Sequence, residues 1–288
     1  MTVVEIISLV LKASIFLNVF AFALNAHFAD ATYLFRNPGL LLRAVLSMNV
    51  VMLLTAIALS LAFDLHPATK IALVTLSMSP VPPILPKKAF KAGGTEPYVI
   101  GLLTAAALLS IVFVPLSLEL VQRIAGIPMG MSPIAVASIV ILTVLAPLLL
   151  GVAFRALAPR LAVRISKPLA IVAFLILLVG SVPILIAIGS QVWALVGSGA
   201  VIAMTAFVVV GLLTGHVLGG PDPENRRVLA LATSSRHPGL AIAIAHANFP
   251  QQKLTMGAVI MYLLLSIIVS VPYMKWSEKQ QPTMQPGA

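Results

Sequence analysis

The chain has 288 residues, 60% of them hydrophobic and only 9% charged, with a mean hydropathy of +1.09. Soluble domains carry about 25% charged residues, so a soluble enzyme and a disordered chain are excluded, and the absence of cysteine excludes a disulfide scaffold. The net charge of +10 does not indicate nucleic acid, because Lys and Arg fall in the gaps between apolar runs, where membrane topology uses them.

A membrane-crossing helix needs about 20 apolar residues. The pattern predicts nine spans, at 3–27, 38–63, 67–92, 95–124, 131–157, 164–190, 194–218, 224–247 and 250–275. Pro38 and Pro67 open their helices at first positions, where a missing N–H costs nothing. The first run carries Glu5, has no basic residue ahead of it and is too long for a signal peptide, so it reads as a helix. The expected fold class is an all-α polytopic membrane protein forming a single transmembrane domain, with a short tail over 276–288.

With the N-terminus placed outside, the inward loops and helix ends carry Arg36, Arg43, Lys87, Lys88, Lys91, Arg155, Arg160, Arg164, Lys167, Arg226, Arg227, Lys275 and Lys279. The outward ones carry Lys70, Arg123 and Lys253. That thirteen-to-three bias is what the positive-inside rule expects of nine spans with the C-terminus in the cytoplasm.

The two halves echo each other. Leu108–Pro115 reads LLSIVFVP and Leu264–Pro272 reads LLSIIVSVP, with prolines 157 residues apart, while Pro80 and Pro238 are 158 apart. The same offset pairs span one with six and two with seven, and it leaves the first half without an opening helix. Paired helices lie five spans apart and so cross in opposite senses. The pattern predicts inverted repeats over about 1–127 and 128–275, a common architecture of secondary transporters.

Spans three and eight are each interrupted at the corresponding place. Span three holds Ser79-Pro80-Val81-Pro82-Pro83-Ile84-Leu85-Pro86-Lys87-Lys88, and span eight holds Thr233-Ser234-Ser235-Arg236-His237-Pro238-Gly239. Prolines at this density cannot continue a helix, and freed backbone at membrane depth is tolerated only in a cavity or inside protein. These breaks are the expected substrate site. Arg236 lies some twelve residues into span eight, about 18 Å at 1.5 Å per residue, near the middle of a roughly 30 Å hydrocarbon core. It either holds backbone carbonyls or faces a substrate anion.

The expected substrate-binding set is Arg236, His237, Ser234, Ser235, Pro82, Pro83, Lys87, Lys88 and Asn49. Lys87 and Lys88 also read as snorkelling anchors, and His237 as a proton carrier or the cap of a half-helix. Ser234 and Ser235 could bond freed carbonyls, and Asn49 is a polar residue in an apolar span. No acidic residue falls at mid-membrane depth, the five histidines have no metal spacing, and no phosphate-binding loop is present. No catalytic residue, metal ligand or cofactor is expected. A membrane-embedded enzyme lacks its paired reactive groups, and a channel lacks a polar stripe.

Asn25–Pro38 (NAHFADATYLFRNP), the Ser77–Gly94 stretch and Arg226–Phe249 (RRVLALATSSRHPGLAIAIAHANF) together resemble the bile acid:sodium symporter family over nearly the whole chain. The resemblance implies a core domain and a panel domain, two broken helices crossing beside sodium and organic-anion sites, and membership among nine-helix variants lacking the first helix. It also locates departures. Val81–Pro86 replaces the family's Gly-Gly-Thr-x-Ser-Asn crossover, Ala232 stands in place of a sodium-binding Glu, and Arg236 and His237 stand in place of Gln and Asn. Met48, beside Asn49, replaces a Gln. In these features the chain resembles auxin-efflux-carrier-like proteins.

The expected function is secondary transport of a small organic anion by alternating access across a bacterial inner membrane, with most of the sodium site gone. A sodium-independent or proton-linked carrier of the auxin-efflux type is the alternative. The lipid bilayer is the expected surrounding, and no nucleic-acid partner is expected.

Overall fold

The computed structural model describes residues 3–126 and 129–280. Among them every regular element is helical. Seven helices are long and apolar enough to cross a membrane. The first helix and the broken third complete nine spans.

Span one is Val3–Ala23 and span two is Pro38–Ala62, the latter widened into a π-turn over Leu46–Val51. Span three comprises Pro67–Met78 and Leu85–Lys91, and span four is Glu96–Ala125. Span five runs from Pro133 to Leu157 with a π-turn over Ile141–Leu145, and span six is Pro159–Leu195. Span seven is Ala200–Leu218, span eight comprises Pro223–Thr233 and Pro238–Asn248, and span nine is Thr255–Lys279.

The ends follow local chemistry. Pro38, Pro67, Pro133, Pro159, Pro223 and Pro238 each occupy a first helical position, where their fixed φ suits the turn and no N–H is wasted. The ends of four spans, one, six, seven and nine, differ from expectation. Span one stops at Ala23, because Phe28–Ala31 and Tyr33–Arg36 form two short helices across the end of span four. Span six starts at Pro159 and continues to Leu195, so residues 190–194 are helix and the turn is Val196–Gly199. Span nine starts at Thr255, after turns over Phe249–Leu254, and runs on to Lys279, shortening the tail.

The spans sort into two groups by what they touch. Spans one, five and six pack on one another, while two, three, four, seven, eight and nine pack together around the breaks; the two groups also meet where span five lies on span four and span six on span nine. Large apolar side chains such as Leu61, Ile134, Leu157, Ile186 and Val217 point outward, as lipid-facing residues should. Span eight is the opposite: Val228–Ala232 are fully buried and the break residues nearly so.

One packing contact sets the position of that central span. Gly211 and Gly215 on span seven and Gly219 capping its end recur every four residues and face span eight. A Cβ on Gly215 would lie 2.5 Å from both Ala230 Cα and Leu229 O, and one on Gly219 would lie 2.3 Å from Arg226 Cα. Without a hydrophobic drive between helices in lipid, such small-residue faces let backbones close in and gain dispersion energy.

Candidate functional site

The two breaks meet at the centre of the larger group. Met78 ends the first half of span three, and its second half begins at Leu85, with Leu85 N–H donating to Pro82 O at 2.9 Å. Span eight stops at Thr233 and restarts at Pro238. The two are joined directly: His237 N–H donates to Pro80 O at 2.8 Å. The first half of each broken helix packs on the second half or flank of the other, as two crossing rods must.

Arg236 lies at this junction with no exposed surface. Its Nη1 donates to Ser79 O at 3.2 Å and its Nη2 to Met48 O at 2.5 Å. Both acceptors are carbonyls freed by irregular backbone, one at the break of span three and one in the π-turn of span two. A wide turn releases a carbonyl from its usual partner, and here a guanidinium collects it. Arg236 Nε has no partner. Among the described residues no carboxylate pairs with this cation.

The other break residues are also hydrogen-bonded. His237 Nδ1 accepts the N–H of Leu240 at 3.2 Å, capping the second half-helix. That acceptor role puts the ring proton of a neutral His237 on Nε2, which faces Thr143 Oγ1 at 3.3 Å in the π-turn of span five. His237 is thus where the two groups of spans touch at the crossing. Ser234 Oγ bonds Leu231 O, and Ser234 O accepts from Tyr262 Oη of span nine at 2.7 Å. Thr233 Oγ1 and Ser47 Oγ are 2.7 Å apart. Ser235 Oγ is buried and unpartnered.

Of the expected set, Arg236, His237, Ser234, Ser235 and the buried Pro82 and Pro83 gather at the crossing. Lys87 and Lys88 sit apart. Lys87 is exposed with its ammonium over the Phe174 ring of span six, 3.0 Å from the centroid, and Lys88 is half-buried. Asn49 is one of the residues lining a shallow cleft with Leu34, Leu41, Met48, Leu102 and Leu109, of about 10 Å³, room for about one water. Four residues that composition and spacing had left aside complete the site: Ser47, Thr143, Tyr262 and, through packing, Gly215. Tyr262 carried a signal in being a hydroxyl in an apolar span, and the glycine spacing carried another.

Compared with curated proteins, the chain matches none significantly. The sequence model of the sodium bile acid symporter family matches residues 13–210, more than two thirds of the chain, ending before the second break. A polytopic helical bundle with paired broken spans, matched by that model from span one into span seven, belongs to the sodium bile acid symporter family, a family of transporters.

Proposed function

We propose that the protein carries a small organic anion across a plasma membrane by alternating access, with Arg236 as a built-in cation that takes the place of sodium. The observation behind this reading is the buried guanidinium at the crossing, held by carbonyls of spans two and three and paired with no carboxylate. A lone cation in a low-dielectric interior favours an anion nearby. The start of the second half of span eight adds about half a positive charge.

The donor set fits poorly with sodium. Sodium is held by oxygen ligands, and the free carbonyls of Met48 and Ser79 are already engaged by Arg236. Ala232 offers no side-chain oxygen, and the break of span three is built from Pro80, Val81, Pro82 and Pro83. The cation therefore belongs to the chain.

In this reading the substrate passes between the two groups of spans, beside His237 and Thr143, where the groups touch. Inverted repeats over about 1–127 and 128–275, with N-terminus out and C-terminus in, supply the two equivalent end states. The offsets of 157 and 158 residues and the shared position of the breaks support that arrangement.

Proteoliposome uptake of a panel of carboxylates, with a sodium gradient and with choline substituted at constant ionic strength, tests the function. Uptake of at least one carboxylate at equal rates in both conditions is expected. Strict sodium dependence, or transport confined to neutral or cationic solutes, refutes it.

A further inference from the structure

A second buried cation lies outside the crossing. Arg227, one turn into span eight, is only 4% exposed, yet among the described residues its guanidinium has no hydrogen-bond or ion-pair partner, and its Nε is both buried and unsatisfied. Nearby carboxylates are otherwise placed: Glu278 pairs with Lys91 at 3.5 Å, Asp222 Oδ2 accepts from Asn225, and Glu224 is exposed. The segment 281–288 contains no acidic side chain. Buried charges in native structures are paired, so this one calls for an anion.

The surroundings define which anion. Arg227 lies within electrostatic range of Tyr273, and both Arg226 and Arg227 of His216. His216 Nδ1 and Tyr273 Oη are hydrogen-bonded at 2.8 Å, and Trp276 meets His216 edge-on with centroids 5.5 Å apart. His216, Tyr273 and Trp276 are themselves partly exposed. They belong to spans seven and nine, which pack side by side, at the end of the bundle where Lys275 and Lys279 also lie. Tyr and Trp at this depth mark the headgroup level of a bilayer.

Below this cluster the same two spans present apolar surface outward. Span seven exposes Leu213 and Val217, and span nine exposes Leu264, Ile268 and Val271, at spacings of three and four residues. These stripes run from the polar cluster toward the middle of the membrane. A phosphate at Arg227 could therefore have its acyl chains beside Leu213 and Ile268, an arrangement that a free anion would not use.

We infer that Arg227, with His216, Tyr273 and Trp276, binds the phosphate headgroup of an anionic phospholipid at the basic end of spans seven and nine. The lipid is a structural partner and is independent of the transported substrate. By neutralising Arg227 it stabilises the first half of span eight, which carries the crossing at its other end.

The test compares unfolding temperatures of the full chain in a neutral detergent with added phosphatidylglycerol, phosphatidylcholine or inorganic phosphate. Wild type, Arg227→Gln and the double variant His216→Gln/Tyr273→Phe are measured together. Wild type is expected to be stabilised by phosphatidylglycerol at concentrations about tenfold below phosphatidylcholine, from one charge-assisted contact in a buried setting, and not by phosphate. Arg227→Gln should lose that preference and the double variant should reduce it. Equal response of wild type to both lipids, full preference retained in Arg227→Gln, or stabilisation by phosphate alone would each overturn the inference. If Arg227→Gln does not fold, an unchanged preference in the double variant overturns it instead.

Discussion

Replacing Gly215 by alanine probes the packing that positions the crossing. The added Cβ would sit 2.5 Å from Ala230 Cα and Leu229 O and 2.7 Å from Ala230 N. All three are backbone atoms, so no side chain can swing away, and ordinary contact requires spans seven and eight to part by about 1 Å. Overpacking of this kind costs about 1–3 kcal/mol, and the rigid neighbours argue for the upper end. Alanine returns about 1 kcal/mol of helix propensity, leaving a net loss of about 2 kcal/mol. Gly189, in the C-terminal third of span six but still inside the helix, supplies the control: nothing lies within 4 Å of its Cβ position. Gly189→Ala should therefore stabilise by up to about 1 kcal/mol. Thermal or denaturant unfolding of the two variants in the same detergent gives both signs in one experiment. Gly215→Ala as stable as wild type, beside a stabilised Gly189→Ala, would mean that spans seven and eight do not meet along this face.

Three further outcomes are expected. Tyr262→Phe removes the donor to Ser234 O and leaves a buried carbonyl unsatisfied, so unfolding should be easier by about 1–3 kcal/mol; no change would contradict that bond. Arg236→Ala frees the carbonyls of Met48 and Ser79, and the variant, unlike wild type, should gain thermal stability from millimolar sodium over choline, whereas an equal response in both proteins would refute the internal-cation reading. Reporters fused after Gly287 and inserted in the Val196–Gly199 turn should read as cytoplasmic and external, and a cytoplasmic signal from the turn would refute the orientation.

The sequence disclosed the spans and breaks because each rests on a strong local signal. Long apolar runs, prolines at first positions and four prolines between 80 and 86 act within a few residues of where they stand. The helices at Phe28–Ala31 and Tyr33–Arg36 were hidden because they are one turn each, held by Asp30 capping the His27 N–H and by packing on span four. The extension of span six to Leu195 was hidden because Ser190 and Gln191 interrupt the apolar run, and polar residues near a helix end do not by themselves stop it. At the site, the position of Arg236 could be counted along a helix. Its partners could not: Ser79 and Met48 are 157 and 188 residues away in the chain and contribute main-chain oxygens, which carry no side-chain signature. Likewise the two π-turns are invisible to a periodicity of 3.6, and only span five announces one, by Pro147 just after it.

The connections between the two groups of spans set the mechanics of any rocking between them. The chain passes from one group to the other three times: between Ala23 and Pro38, between Ala125 and Pro133, and between Leu195 and Ala200. The last is a leash of four residues, Val196–Gly199, which even fully drawn out reaches only about 18 Å between the flanking Cα atoms. The second leash is seven residues long and begins at Gly126, which like Gly199 has a positive φ. Both short leashes lie at the end opposite the basic residues, whereas the long one, with its two helical turns, lies at the basic end. The short leashes limit how far the groups can part at their end, while the long one permits a wider swing at the basic end. The short helices at residues 28–36, lying on span four, would be the part that travels with that swing.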